Sequence, residues 1–319
     1  MKRLLTAAGL LISLACAYFF LHSVAAHWHV FTQMSWGAWV WPALVLALIM
    51  YVSTYALVTF AWGLSLKALD HPLHYRDTLQ ILLLSQFAKY LPGNVGHHVG
   101  RVLLAKRKGL PTDTVLGSMF LDTLIVLAAA LASSLPSLHL LIQVASDKGS
   151  THVRMAAILI AILTAILSVA LAFSVTRRML VQHVRHLSQL VRTQKLPLLC
   201  SAWATHCLSF MTGGTILYLL CLAFSNSPHP QYWLDVTGIY ASAWLLGFLI
   251  PGAPAGLGVR EIVLLLGLSP LFGIEGATAA AAALRLITTL GDGLALVLGL
   301  VLRKLQQAGS GTANTGSLS

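Results

Sequence analysis

A chain of 319 residues that is 57% hydrophobic and 9% charged, with a mean hydropathy of +0.81, is not an ordinary soluble domain, in which roughly a quarter of residues are charged. The formal charge of +11 invites a nucleic-acid reading, but the basic residues fall between apolar runs, mostly on one inferred side, and that placement excludes it. Several runs reach the ~20 residues that cross a hydrocarbon core of ~30 Å, and strands of alternating polarity are absent, which excludes a barrel.

Lys2, Arg3, Lys67, Arg76, Lys106, Arg107, Lys108, Arg177, Arg178, Arg185, Arg192, Lys195, Arg303 and Lys304 lie between spans on one side, while Lys148 and Arg154 fall on the other. The positive-inside rule makes the crowded side cytoplasmic, with both termini there. The expected location is the bacterial inner membrane, crossed several times.

In chain order, Met1-Lys2-Arg3 and the apolar run to about Leu21 read as a retained first span; the alternative is a signal peptide cleaved near Val24-Ala25-Ala26. The stretch His22 to Trp39 carries Trp28, Trp36 and Trp39 without Lys or Arg, which suits an outer interfacial loop. A second span runs from about Trp41 to Leu66. The segment Asp77 to about Leu91 is apolar but only ~15 residues long, too short to cross. It breaks at Pro92-Gly93 and resumes from about Val95 to Lys108. Basic residues at both outer ends make it a helical hairpin that enters and leaves from the cytoplasm. A single kinked crossing would put Lys106-Arg107-Lys108 outside, against the charge asymmetry.

The third span, about Thr112 to Leu135, opens on a cap-like Thr112-Asp113. The fourth runs from about Val153 to Val175. Behind it, Leu180, Val184, Leu187 and Val191 recur at helical spacing among basic residues, as in an amphipathic helix on the lipid surface. The fifth span is about Leu198 to Phe224. A helix from about Asp235 to Ile250, a second break, and a helix from about Val259 to Phe272 form a hairpin that enters from outside. The sixth span is about Ala277 to Leu302, and the Gly/Ser/Thr-rich tail 308–319 is expected to be disordered. Cys16, Cys200, Cys207 and Cys221 lie in spans without metal-site spacing.

The order is span, span, hairpin, span, then the same again from the opposite side: an inverted-topology repeat. The expected fold is therefore an all-α polytopic membrane protein with about six transmembrane helices and two re-entrant helical hairpins. It forms one domain over residues 1–307, with halves of about 1–150 and 151–307.

Both breaks open with Pro-Gly and place an arginine at the same distance after the proline, Pro92 to Arg101 and Pro251 to Arg260. Proline and glycine free backbone polar groups, tolerable at membrane depth only where protein or a watery cavity surrounds them. Paired Gly/Pro-interrupted segments in corresponding halves point to a transport site. Charges gather around them. Asp122 lies ~15 Å into the third span at 1.5 Å per residue, and Asp292 is similarly deep in the sixth. Such groups are expensive and mark functional sites by default. Pairing of Asp122 with Lys89 or Arg101, of Asp292 with Arg285, and of Glu261 with Arg260 is the simplest neutralisation. It leaves one positive charge among Lys89, Arg101, Arg260 and Arg285, and a surplus cation beside helix N-termini favours a phosphate. His206, Ser209, Thr212 and Gly213 form a further polar stripe. His97 and His98 are adjacent, so they are expected on different helix faces and contact headgroup or water rather than metal. No P-loop, Gly-x-Ser-x-Gly or His-Glu-x-x-His pattern is present.

Phe87-Ala88-Lys89-Tyr90-Leu91-Pro92-Gly93-Asn94-Val95-Gly96 with Gly100-Arg101, and Ile250-Pro251-Gly252 with Gly256-Leu257-Gly258-Val259-Arg260-Glu261, resemble the paired signatures of the flippase-like membrane domain of lysylphosphatidylglycerol synthases, an uncharacterised integral-membrane family. The second signature is tighter in that family; here Ala253-Pro254-Ala255 is inserted. In the two-part synthases this domain moves an aminoacylated phospholipid to the outer leaflet, while a soluble domain makes it. The chain ends just after the last span, so the soluble domain is expected to be absent and synthesis is not implied.

The expected function is a lipid flippase that translocates an anionic phospholipid, glycolipid or polyprenyl-phosphate-linked lipid. Its rivals are a membrane-embedded headgroup-modifying enzyme, with Glu261 or Asp122 as base, and a non-catalytic partner of a lipid-modifying enzyme. The expected substrate-binding set is Lys89, Asn94, His97, His98, Arg101, Arg260, Glu261 and Arg285, with Asp122 and Asp292 as candidates for proton coupling. No metal or cofactor is expected. The expected partners are a lipid with an anionic headgroup and a separately encoded lipid-modifying enzyme, not nucleic acid.

Overall fold

The computed structural model describes residues 39–90, 96–140, 195–224, 230–250 and 258–315, together with Ala25 and Gly256. The expected first and fourth spans, the amphipathic stretch before Lys195, and Asn94 lie outside the described residues. Every described element is helical. In order they are α1 Val40–Ala68, α2 Tyr75–Gln86 with a 3₁₀ turn Phe87–Tyr90, α3 Gly96–Arg107, α4 Thr112–Ser134 with a 3₁₀ turn Leu135–Ser137, α5 Leu196–Phe224, α6 Trp233–Leu249 and α7 Val259–Thr315.

Among the described residues, four helical stretches are long and apolar enough to cross a membrane: Val40–Ala68, Thr112–Leu140, Leu196–Phe224 and Val259–Gln307. The first three have 29 residues each, or ~44 Å at 1.5 Å per residue, more than the ~30 Å core requires. They correspond to the expected second, third and fifth spans. The last holds two expected elements in one run. Pro270 sits inside α7 and Gly273 adopts φ 73°, ψ 162°, a left-handed conformation that glycine takes without steric cost. Helix α7 therefore has two arms joined at Gly273, matching the second leg of the second hairpin and the sixth span. Beyond Gln307 the helix carries on to Thr315, into the tail whose composition argued for disorder. Extending a helix already formed fixes one residue per hydrogen bond, which is cheaper than starting one.

Helices α2 and α3 have 12 residues each, or ~18 Å, too short to cross. Three contacts fix how they lie. Lys108 pairs with Asp77 at 2.7 Å. A Cβ on Gly100 would lie 3.3 Å from the Ser85 Cβ, and one on Gly96 would run into the carbonyl oxygen of Ala88. The partners approach each other residue by residue from the outer ends inward, so the two legs are antiparallel. The second break does the same. A Cβ on Gly267 would sit 2.7 Å from Ile239 Cγ2, and one on Gly247 would sit 2.7 Å from Arg260 Cγ. At each of these glycines an added Cβ would press on a neighbour across the seam, at Gly96 on the backbone itself.

Helices α1 and α5 also run antiparallel. Ile216, Leu217 and Leu220, late in α5, pack with Leu44, Ala47 and Leu48, early in α1, and Lys195 pairs with Asp70 at the other end. The packing repeats between halves. Helix α1 meets α2, α4 and α7 as α5 meets α6, α7 and α4, and α2 meets α7 as α6 meets α4. This is the neighbour pattern that an inverted repeat requires, with α1 answering to α5 and each hairpin seated against the opposite half. Outward-facing Trp39, Trp41, Ile49, Phe60, Leu286, Leu298 and Val301 are exposed, as expected for surfaces bathed in lipid.

Candidate functional site

The two hairpins lead to one cavity of ≈ 270 Å³. Lys89, His97, His98 and Arg101 reach it from the first hairpin, Arg260 and Glu261 from the second, Asp122 from α4 and Arg285 from the second arm of α7. Eight of the ten candidate binding and proton-coupling residues named from the sequence thus line a single space, and His206 and Ser209 of the polar stripe join them. Asp292 stands behind it, fully buried, and is held by residues that do line it.

The pairings differ from the simplest expectation. Asp292 does not meet Arg285, because seven residues of helix separate them by ~10 Å along the axis. Instead Asp292 binds Lys89 at 2.8 Å and accepts hydrogen bonds from Tyr51 at 2.8 Å and from Tyr55. One carboxylate therefore ties the tip-ward end of the first hairpin to α1 and α7. Glu261 does not pair with Arg260. Its Oε2 accepts from the Gly258 N–H at 2.7 Å, the reach-back of a glutamate in the first turn to a free helix-terminal donor. Its other oxygen lies 3.5 Å from Arg285. Asp122 meets Arg101 at 4.0 Å, as one of the expected alternatives had it. It also accepts from His206 Nε2 at 3.0 Å, a bond that joins α4 to α5.

Three carboxylates thus face three cations, and Arg260 is left over. Among the described residues it has no carboxylate within ion-pair distance, and its Nε has no hydrogen-bond partner. Its guanidinium sits 5.9 Å from the centroid of the Trp244 ring, within cation–π range. Glycines cradle its stem: a Cβ on Gly247 would lie 2.7 Å from its Cγ, and one on Gly256 would lie 2.9 Å from its Nε. Arg101 has a comparable seat over Trp62, at 4.8 Å, but is neutralised by Asp122.

His97 and His98 do not diverge as neighbours on a helix were expected to. At the opening turn of α3 their rings lie 3.8 Å apart, centroid to centroid, and both face the cavity. The Nδ1 atom of each is buried without a partner among the described residues. These histidines and the two arginines thus carry several nitrogens without a hydrogen-bond partner among the described residues. No group of three metal-binding side chains occurs among the described residues.

Tyr51 and Tyr55 had escaped the sequence reading, although their spacing of four places both on one helix face. Trp62 and Trp244 were also missed; nothing in their local sequence marks a ring that will lie under an arginine. His206 stood out as part of a polar stripe, but its carboxylate partner on another helix did not.

The family model for the lysylphosphatidylglycerol synthase TM region matches residues 6–295, nearly the whole chain and both breaks. The chain belongs to that family. It is a multi-pass membrane protein of a family tied to lipid metabolism or transport. The match covers the membrane region alone, so what places this family member's site is the cavity and its charges. Among curated proteins the comparison finds no match.

Proposed function

We propose that this family member is a lipid flippase of the bacterial inner membrane, with both termini cytoplasmic, and that it takes an anionic headgroup into the cavity between its two hairpins. The observation that carries the reading is Arg260, a cation facing the cavity with no carboxylate to meet it among the described residues. One uncompensated positive charge suits a singly charged phosphodiester. Arg101, His97 and His98 line the same cavity and can add hydrogen bonds.

The two hairpins then have separate tasks. The first enters from the basic side of the membrane and the second from the opposite side, so that each closes the cavity toward one leaflet. A headgroup arriving at Arg260 competes for the cations that hold Asp292 and Glu261. Exchange of those pairs loosens the tip of one hairpin at a time, while the acyl chains stay in the bilayer. Glu261 is engaged by the backbone and Arg285, and a separate headgroup-modifying chemistry gains no support from the geometry.

The test is a liposome assay in which a fluorescent phosphatidylglycerol analogue is bleached from the outer leaflet. Wild-type protein is expected to expose inner-leaflet label, and Arg260→Ala to lose most of that activity while still purifying as a folded protein. Arg260→Lys should recover little, because a point charge does not reproduce the two-pronged guanidinium. Equal label movement with wild type and Arg260→Ala would overturn the reading.

A further inference from the structure

A second cavity, of ≈ 380 Å³, lies where the outer ends of α2 and α3 meet the last turns of α7, and it shares no lining residue with the first. Its lining is graded along the helices. Leu84 and Leu104 contribute apolar surface on the side toward the hairpin tip, and Arg107, Lys108 and Arg303 stand a turn further out. The register is set by Gly299, whose Cβ would lie 3.0 Å from Leu83 and 3.1 Å from Leu84. That contact brings Arg303, one turn on, level with Gln80.

The charges of this cleft are not balanced. Lys108 is paired with Asp77 at 2.7 Å. Arg107 and Arg303 meet no carboxylate within ion-pair distance among the described residues. Gln80, which also lines the cleft, is only 6% exposed, and its Nε2 is buried with no hydrogen-bond partner among the described residues. A buried amide donor left unmade costs stability unless something accepts from it. Two open cations and one orphaned donor beside an apolar wall describe a ligand with acceptor oxygens, negative charge and hydrocarbon attached.

We propose that this cleft binds an anionic phosphate group, that of a phospholipid in the leaflet on the basic side. Arg107 and Arg303 meet its charge and the Gln80 amide donates to one of its oxygens. The apolar wall takes the first carbons of its chains, and the basic face of the membrane is where anionic headgroups collect. A lipid there clamps both legs of the first hairpin to α7. The site holds a bound lipid rather than a transported one, and it stands independently of the function assigned to the central cavity.

The test uses the full chain in detergent with Arg260→Ala as background, so that the central cavity contributes little. Thermal unfolding is followed while short-chain phosphatidylglycerol, short-chain phosphatidylcholine or inorganic phosphate is added. Phosphatidylglycerol is expected to raise the midpoint in a saturable way, and the zwitterionic lipid to do so much less. Arg107→Gln with Arg303→Gln should weaken the apparent affinity by about tenfold per arginine, where each tenfold is about 1.4 kcal/mol. Gln80→Leu should raise the midpoint without ligand, by removing the orphaned donor, and yet shrink the shift that lipid produces. If the double variant keeps the full shift, or phosphatidylcholine matches phosphatidylglycerol, the site is wrong. An equal shift from inorganic phosphate alone would keep the phosphate site and overturn the lipid as its source.

Discussion

Two buried aspartates sit at matching depths in the two halves, and their surroundings assign them different work. Asp292 is fully buried and binds Lys89, Tyr51 and Tyr55, so it joins three elements and does not itself line the cavity. Asp122 lines the cavity and shares its charge with His206 and Arg101. Because Asp122 lines the cavity and Asp292 does not, Asp122 is the better candidate for passing a proton. Asp292→Asn is therefore expected to destabilise by about 3–5 kcal/mol, the cost of breaking a buried ion pair and stranding Lys89. Lower thermal stability in detergent would show it. Asp122→Asn should fold and instead flatten the pH dependence of lipid movement. A normal pH profile for Asp122→Asn would sink proton coupling through that residue. The sequence alone named both aspartates, because ionisable groups deep in apolar runs are conspicuous. It did not reveal their partners: Lys89 and Asp292 lie some two hundred positions apart, and only the packing of the halves brings them together.

The helices flanking the two breaks were the most legible elements, since Pro-Gly within a short apolar run leaves few alternatives, and they lie close to their expected bounds. Less legible was the continuity of α7, where a helix and a span appear as separate runs in sequence but join through the φ 73° conformation of Gly273. The glycines around Arg260 belong to this scale as well. They were visible as breakers, while their use as a socket depends on the close approach of α6 to α7. Gly247→Ala tests that use. The added methyl would lie 2.7 Å from Arg260 Cγ, too near to coexist without moving the side chain, while in the helix alanine gains about 0.5–1 kcal/mol over glycine. The expected outcome is a protein at least as stable as wild type with impaired lipid movement. Gly256→Ala should impair both, because its φ of +71° costs any residue with a Cβ roughly 1–2 kcal/mol. If Gly247→Ala moves lipid at the wild-type rate, the position of Arg260 is not what the glycine protects.

At the scale of the whole molecule, the antiparallel course of α1 and α5 and the matched neighbours of the two halves place equivalent elements head to tail. On the topology proposed above, the two hairpins enter from opposite sides of the membrane, and the basic residues assign the sides. Lys106, Arg107 and Lys108 close the first hairpin, and Arg303 and Lys304 end the last span. Trp39 and Trp41 sit at the far end of α1, exposed as an interfacial pair. The orientation is testable in cells with a background in which Cys16, Cys200, Cys207 and Cys221 are replaced by serine. A single cysteine at Lys106→Cys, on the exposed outer turn of α3, should react with a membrane-impermeant maleimide only after the cells are opened. A single cysteine at Leu138→Cys, exposed at the end of α4, should react in intact cells. Helix α4 has 23 residues before its 3₁₀ turn, ~35 Å of rise, so the two probes are separated by a full hydrocarbon core. Reaction of both sites in intact cells, or of neither, would contradict an outward-running α4 between them. It would also remove the basis for assigning the two hairpins to opposite leaflets.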